Sequence, residues 1–362
     1  MKKSLVALAL MGAFTGAHAQ SSVTIYGTVD AGVTKTTGTS VAIGKRDNNK
    51  LGFRGVEDLG SGLKALFQLE IRYEPDTGTI ENTSGVNSRP LFQGQSRVGL
   101  QGDFGTVRLG RGLTPFQETS TAFEPWSGIP AVAGYQTNLQ VAGYTSDPLS
   151  QVGNSANRFS NAAWYNSPVV AGFQLNVAVA AKEANNGPAI IGRGTALAPQ
   201  YAANARPTAI PWGTTATYTY GPYAAYAAFE RNAVETKLWS VGASFKPIPD
   251  LKLMATYQRQ DQDHTQLFNP KTDAWIVGAN YTIGPGKLLL GYGQKRPDDR
   301  DNIPGVVAPV AKTKEASIGY EYSLSTRTYV YLDLSNKKAP LTPTAAVDTT
   351  INHYSLGIHH NF

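Results

Sequence analysis

The chain carries 362 residues, 32 of them Lys or Arg and 26 Asp or Glu, for a net charge of +6. With no cysteine, a disulfide framework and a thiolate metal site are both excluded. The 37 glycines and 18 tyrosines leave too few Leu, Ile and Met for a thick buried core, and the basic excess lacks the dense cluster that nucleic-acid binding needs.

The chain opens with an export signature. Lys2 and Lys3 precede the apolar run Leu5 to Phe14, and Ala17-His18-Ala19 offers a small-x-small cleavage site. This predicts a signal peptide over 1–19 and a mature chain from Gln20, with 343 residues and a charge of +4. The run is too short to span a bilayer, and no later segment approaches 18 consecutive apolar residues.

From Ser22 onward the apolar residues mostly alternate. Val23, Ile25, Tyr26 and Val29 open the first strand, and Leu63, Ala65, Phe67, Leu69, Ile71 and Tyr73 keep an unbroken period of two. Such a strand has one apolar and one polar face. Seven short breaker-rich links recur at 57–62, 102–105, 167–172, 221–222, 247–250, 284–286 and 323–326. Eight longer polar stretches alternate with them, at 34–49, 74–94, 112–156, 183–212, 232–236, 262–271, 297–312 and 337–350. Fifteen connections join sixteen strands, an even number with short turns on one rim and long loops on the other, as in bacterial outer-membrane barrels. The physical reason is that lipid offers no hydrogen bonds, so a strand protein must close on itself to cross it. About sixteen strands leave a wet lumen. Tyr354, Leu356, Ile358, His360 and Phe362 alternate to an aromatic end, which predicts a last strand that closes on the first. The expectation is an all-β chain, a 16-stranded antiparallel transmembrane β-barrel with short periplasmic turns and long extracellular loops.

Ser22 to Asp30, Lys50 to Gly60, Leu63 to Glu70, the hairpin from Val98-Gly99-Leu100 to Gly110-Arg111 and the Tyr354 to Phe362 ending carry a resemblance. The mature chain resembles the trimeric Gram-negative general diffusion porins, most closely their β-proteobacterial branch. Its His359-His360-Asn361 departs from the Arg-rich ending usual there. The resemblance implies a homotrimer in outer-membrane lipid and lipopolysaccharide, a third loop (112–156) folded into the lumen, and a terminal Phe362 read by the barrel-assembly machinery.

Alternation assigns faces. Leu51 and Phe53 toward lipid place Lys50 and Arg54 in the lumen; Val107 and Leu109 place Arg108 there; Ala65 to Ile71 place Glu70 and Arg72 there. Phe159 and Tyr165, taken as lipid-facing, turn Arg158 inward. In the family a basic ladder on the wall faces carboxylates on the infolded loop. Lys50, Arg54, Arg111 and Arg158 match the wall positions, Glu124 and, less closely, Glu118 match loop positions, and Glu70 matches an acidic wall position. Arg111 breaks the parity of Arg108 and is placed by the resemblance alone. Opposed charges across a narrow wet gap would orient dipolar solutes and bias ion passage.

No catalytic constellation stands out. His359 and His360 are neighbours on a strand and point apart, and His353 and His359 show no nearby carboxylate. A Gly-x-Ser-x-Gly elbow is absent. Gly284-Pro285-Gly286-Lys287 reads as a hairpin rather than a phosphate loop, and Asp298-Asp299-Arg300-Asp301 as a solvated loop rather than a calcium site. The five tryptophans and the tyrosines are expected in interfacial girdles, some in the loop or trimer contact. The leading expectation is a non-enzymatic, cofactor-free channel for small hydrophilic solutes with moderate anion preference. The alternatives are a channel selective for small anionic, dicarboxylate-like solutes, a secreted soluble β protein, and a barrel enzyme.

Overall fold

The computed structural model describes residues 22–81, 90–142, 144–148, 157–181, 190–195, 198–201, 209–262, 270–297, 312–340 and 348–362. The expected signal peptide 1–19 and the Asp298 to Asp301 run lie outside the described residues.

The first half of the wall comprises β1 (Ser22–Thr36), β3 (Asn49–Gly60), β4 (Leu63–Tyr73), β5 (Gln95–Gly102), β6 (Gly105–Leu113), β7 (Arg158–Asn166) and β8 (Phe173–Ala180), with a short β2 (Ala42–Gly44) beside β1. The rest comprises β11 (Trp212–Tyr220), β12 (Tyr223–Arg231), β13 (Lys237–Ile248), β14 (Leu251–Asp261), β15 (Lys271–Ile283), β16 (Gly286–Pro297), β17 (Thr313–Ser323), β18 (Thr328–Pro340) and β19 (Asp348–Asn361). All wall pairings are antiparallel between chain neighbours, and β19 returns to β1, which closes a ring of sixteen strands. The seven predicted hairpins and eight long connections fall where the breaker residues place them. Gly221 (φ 54°) and Gly284 (φ 57°), each followed by Pro, supply the positive φ that a two-residue hairpin turn needs. Two features exceed the sequence reading. The 34–49 stretch contains β2, and the 183–212 stretch contains the hairpin β9 (Ile190–Thr195) and β10 (Ala198–Tyr201).

Closure rests on β1. Its first half pairs with β3, from Ser22 opposite Val56 to Thr28 opposite Lys50, and its second half with β19, from Thr28 opposite Asn361 to Thr36 opposite His353. The joint is completed by Phe362, whose N–H and carbonyl exchange bonds of 3.2 and 3.0 Å with Gly27.

The outer face carries the exposed Val23, Ile25, Val33, Val98, Leu109, Val241, Val277, Leu332 and Leu356. Aromatic pairs mark its two borders. Trp212–Phe229, Trp239–Tyr257 and Trp275–Tyr292 (centroids 4.9, 5.3 and 5.5 Å apart) lie toward the long loops, and Phe173–Tyr218 and Tyr223–Phe245 (4.2 and 4.9 Å) toward the short turns. Trp126 and Trp164 are buried instead. One face assignment is corrected. Phe159 is 1% exposed and packs with Ala162, Trp164, Ala178 and Ala180 rather than facing outward with Tyr165. Asn161 (φ 47°) sits where the β6–β7 register slips between Gly110 and Gly112, and such a bulge reverses the faces beyond it.

With Val241 in mid-strand on the outer face, Val241→Arg is expected to lower stability by about 2–4 kcal/mol. Urea unfolding from lipid vesicles checks this; a change below about 0.5 kcal/mol would remove that strand face from the bilayer.

Candidate functional site: the lumen and its infolded loop

The third long connection leaves β6 at Leu113 and turns at once into helix α1 (Pro115–Ser120). Thr114 caps it, its Oγ1 accepting from Gln117 N–H at 3.3 Å, and Pro115 occupies the first helical position. A 3-10 turn (Thr121–Phe123) and a π turn (Gln136–Gln140) follow. The segment then crosses the inner face of the wall from β11 to β18. Phe116, Phe123, Val141 and Tyr144 pack on Tyr226, Ala228 and Leu238, and Trp126, Tyr135 and Leu139 on Ile276 and Leu289. Wall donors hold its carbonyls: Gln258 those of Leu139 (3.1 Å) and Gln140, Gln260 that of Gln140 (2.9 Å), Lys295 that of Ala142, and Asn280 that of Pro125 (3.2 Å). A loop that touches the inner side of so many consecutive strands lies inside the ring, and it narrows the lumen from one side.

The predicted loop acids behave differently from one another. Glu124 is fully buried and turned back on its own loop, where its carboxylate accepts from the N–H groups of Trp126 (2.9 Å) and Gly128. Burial pushes its pKa up to about 7, against the opposing pull of those backbone donors. Glu118, on α1, pairs with Arg97 at 2.8 Å and Arg108 at 3.2 Å. Asp147, the remaining acid of 112–156, is buried. Hence no loop carboxylate stands opposite the wall across an open gap among the described residues.

The predicted wall residues also separate. Lys50 lies opposite Thr28 and Arg72, and Arg54 opposite Thr24 and Gln68, which fixes both on the inner face. Arg54 rests 5.3 Å from the Tyr26 ring centroid. Among the described residues neither Lys50 nor Arg54 has a carboxylate within salt-bridge distance. Glu70 is buried; it accepts from the Tyr26 hydroxyl at 3.2 Å and lies 3.7 Å from Arg72. Arg111 pairs in register with Ser96, on the side of the sheet that carries Leu69, not the side of Arg97. Its guanidinium donates to Gln93 O (3.1 Å) and Ser160 Oγ (2.5 Å). Arg158, beyond the bulge, is buried and donates to Gly94 O (2.7 Å) and Asn157 Oδ1 (2.7 Å). These two arginines clamp the backbone ahead of β5, and Arg158 interacts electrostatically with Arg111 and with Arg72 and Glu70 of the inner wall.

A second polar centre was not legible in the sequence. Between β2 and β3 the chain carries Arg46 inward, where its fully buried guanidinium bonds Asp333 and Glu321, each at 2.8 Å, and lies 4.8 Å from the Tyr331 ring centroid. Burial works against the Arg46 charge, but the Asp333 and Glu321 carboxylates outweigh it and hold its pKa above the ordinary value. Asp333 also accepts from Trp126 Nε1 at 3.1 Å. Asp30 accepts from Arg46 N–H and Tyr331 and lies 3.0 Å from His359 Nδ1, so the expectation that His359 has no carboxylate nearby is corrected. The partner comes from the strand across the joint, which sequence spacing hides.

The description "Gram-negative porin" matches residues 5–339. The chain belongs to that family. Outer membrane porin protein 32 of Delftia acidovorans is 31% identical over 92% of this chain and 89% of its own length. Major outer membrane protein P.IB of Neisseria meningitidis serogroup B is 35% identical over 43% of this chain and 48% of its own. Among solved structures, an anion-selective porin from Comamonas acidovorans superposes with a TM-score of 0.73 at 24% identity, covering 94% of this chain and all of that one. The trimer form of OmpT from Vibrio cholerae gives 0.64 at 15% identity over 94% of this chain and 99% of that one. The protein is therefore an outer-membrane porin, a channel and not an enzyme.

Two tests address how this porin fixes its loop. Asp333→Ala leaves Arg46 with one carboxylate and frees the Trp126 indole, and is expected to cost about 3–5 kcal/mol; unfolding in lipid vesicles measures it. Glu124 titrates near 7 when folded against 4.5 for the free group. The folded state then binds more protons than the unfolded one across that window, so this group's contribution declines as pH rises from 4.5 toward 7. The stability of the parent relative to Glu124→Gln should fall over that interval and stay level above it. A difference that is flat throughout would contradict the raised value.

Proposed function

We propose that this porin is a general diffusion channel with moderate anion preference. The observation that carries the reading is an imbalance of free charge in the lumen. The inward acids on the loop side are sequestered: Asp333 and Glu321 by Arg46, Glu315 under Asn138, and Glu230 under Tyr144. Glu118 is neutralised by Arg97 and Arg108. Lys50 and Arg54 keep their charge on the wall that the loop leaves open. Local positive potential concentrates anions there without a covalent step. The anion selectivity in the description of the Comamonas acidovorans structure agrees with this reading.

The remaining expectations join the same proposal. Lys50 and Arg54 act directly on permeating ions, Glu118 tempers them, and Glu70, Glu124, Arg111 and Arg158 hold the frame around them. Residues 1–19 serve as the cleaved export signal, 20–362 form the barrel, and 112–156 form its constriction. The channel works as a homotrimer amid lipid and lipopolysaccharide, with Phe362 as the contact for barrel assembly and small hydrophilic or anionic solutes as cargo. A trimer form of a related fold supports this, as does the outer face of β1, β5 and β6. There the exposed Val23, Ile25, Val29, Val33, Val98, Leu100, Val107 and Leu109 stand in place of the Trp and Tyr pairs on β11–β16.

Salt-gradient reversal potentials across planar bilayers test the charge assignment. Lys50→Ala/Arg54→Ala is expected to lower the anion-to-cation permeability ratio about two-fold or more, and Glu118→Gln to raise it. Unchanged potentials in both variants would withdraw the free-charge account while leaving the channel itself in place.

A further inference from the structure

We propose that Gly278, Gly291, Gly293 and Gly319, on the inner face of β15–β17, form the seat of the infolded loop and so set the width of the pore. The inference rests on the reading of the lumen as the conducting path.

Beside each of these glycines lies a loop side chain. A Cβ at Gly278 would run into the Pro125 ring, and one at Gly291 into the Tyr135 ring, at 2.6 Å from its hydroxyl oxygen and 2.7 Å from Cζ. One at Gly293 would lie 2.5 Å from Leu139 Cδ1, and one at Gly319 would lie 2.6 Å from Asp333 Oδ1 of the wall and 3.0 Å from Trp126 Cζ2 of the loop. None of the four has a positive φ, so their backbone suits any residue and the demand is for space. Gly278 and Gly291 face each other across β15 and β16, and Ser317 on β17 lies opposite Gly291. These small residues form a trough, and Ile276 and Leu289 give it an apolar floor. Pro125, Trp126, Tyr135 and Leu139 run from just past the 3-10 turn into the π turn, so the trough registers a long stretch of the loop.

The mechanical consequence follows from packing. The wall behind the glycines is a hydrogen-bonded sheet that cannot yield outward without breaking its ladder. A methyl group at Gly291 must therefore displace the Tyr135 ring by about 1 Å to restore ordinary carbon contacts. Tyr135 and Trp126 pack edge to face, 5.7 Å between centroids, in one buried cluster with Ala131, Ala133 and Leu139. A dense cluster transmits the shift rather than absorbing it. The loop moves toward the lumen, and the channel narrows without any change in the charges that line it. Glycine here positions the loop and touches no solute.

Gly291 gives the cleanest test, because the three nearest atoms to its added Cβ all belong to Tyr135. Gly291→Ala is expected to lower single-channel conductance by about a third. It should also shift the size cutoff for neutral sugars in liposome swelling downward, while the reversal potential stays at the parent value. Gly291→Ala/Tyr135→Leu should recover most of the conductance. Parent conductance and cutoff in Gly291→Ala would overturn the proposal. If Gly291→Ala fails to assemble but the double variant assembles and conducts, the contact with the loop is confirmed. If both fail to assemble, the glycine serves the wall itself and the proposal falls. A parent protein without conducting steps would instead remove the channel reading beneath it.

Discussion

In a bilayer, each backbone N–H and C=O must find its partner within the protein, because lipid tails offer none. Here that requirement is met by one strand with two allegiances. β1 spends its first seven residues on β3 and its remaining length on β19, and the Gly27–Phe362 exchange seals the place where the two pairings meet. Everything else depends on this closure. A closed wall gives each strand an inside and an outside, period-two patterning then sorts side chains between lipid and water, and a ring of sixteen strands leaves room for a loop to enter.

The entering loop brings its own polar atoms and meets a wall prepared for them. Its carbonyls find Gln258, Gln260, Asn280 and Lys295, and its indole finds Asp333. Removing charges from water is costly unless they are paired and fully bonded. Asp333 and Glu321 obey this through Arg46, which binds both together and carries the β2–β3 connection into the same cluster. The loop thus covers the acidic side of the barrel and leaves Lys50 and Arg54 facing the remaining water. In the proposed channel, selectivity and loop anchoring would be two results of one partition of charge.

The strand count, the seven hairpins and the lipid-facing rows were legible in the sequence because each depends on residues close together in the chain. Turn chemistry acts over two to four residues, and alternation over five to ten. At Phe159 the alternation misleads, because one added residue at Asn161 reverses the faces beyond it and nothing in the local pattern announces the bulge. The ladder was legible only in part. Alternation placed Lys50 and Arg54 in the lumen, and it placed Arg108 there as well. The family resemblance, however, gave Glu118 less weight than Glu124, although the first meets the wall arginines and the second caps its own turn.

By itself, then, the sequence determined an alternating, closing sheet with basic residues on its inner face, since these follow from local periodicity and composition. Which of those charges remain free was decided by tertiary structure alone. Arg46 and Asp333 stand 287 residues apart, Asp30 and His359 stand 329 apart, and the glycines that receive Pro125 and Tyr135 belong to strands more than a hundred residues downstream. Such pairings exist only once the sheet has closed and the loop has folded in, because closure is what brings distant strands within reach of one another.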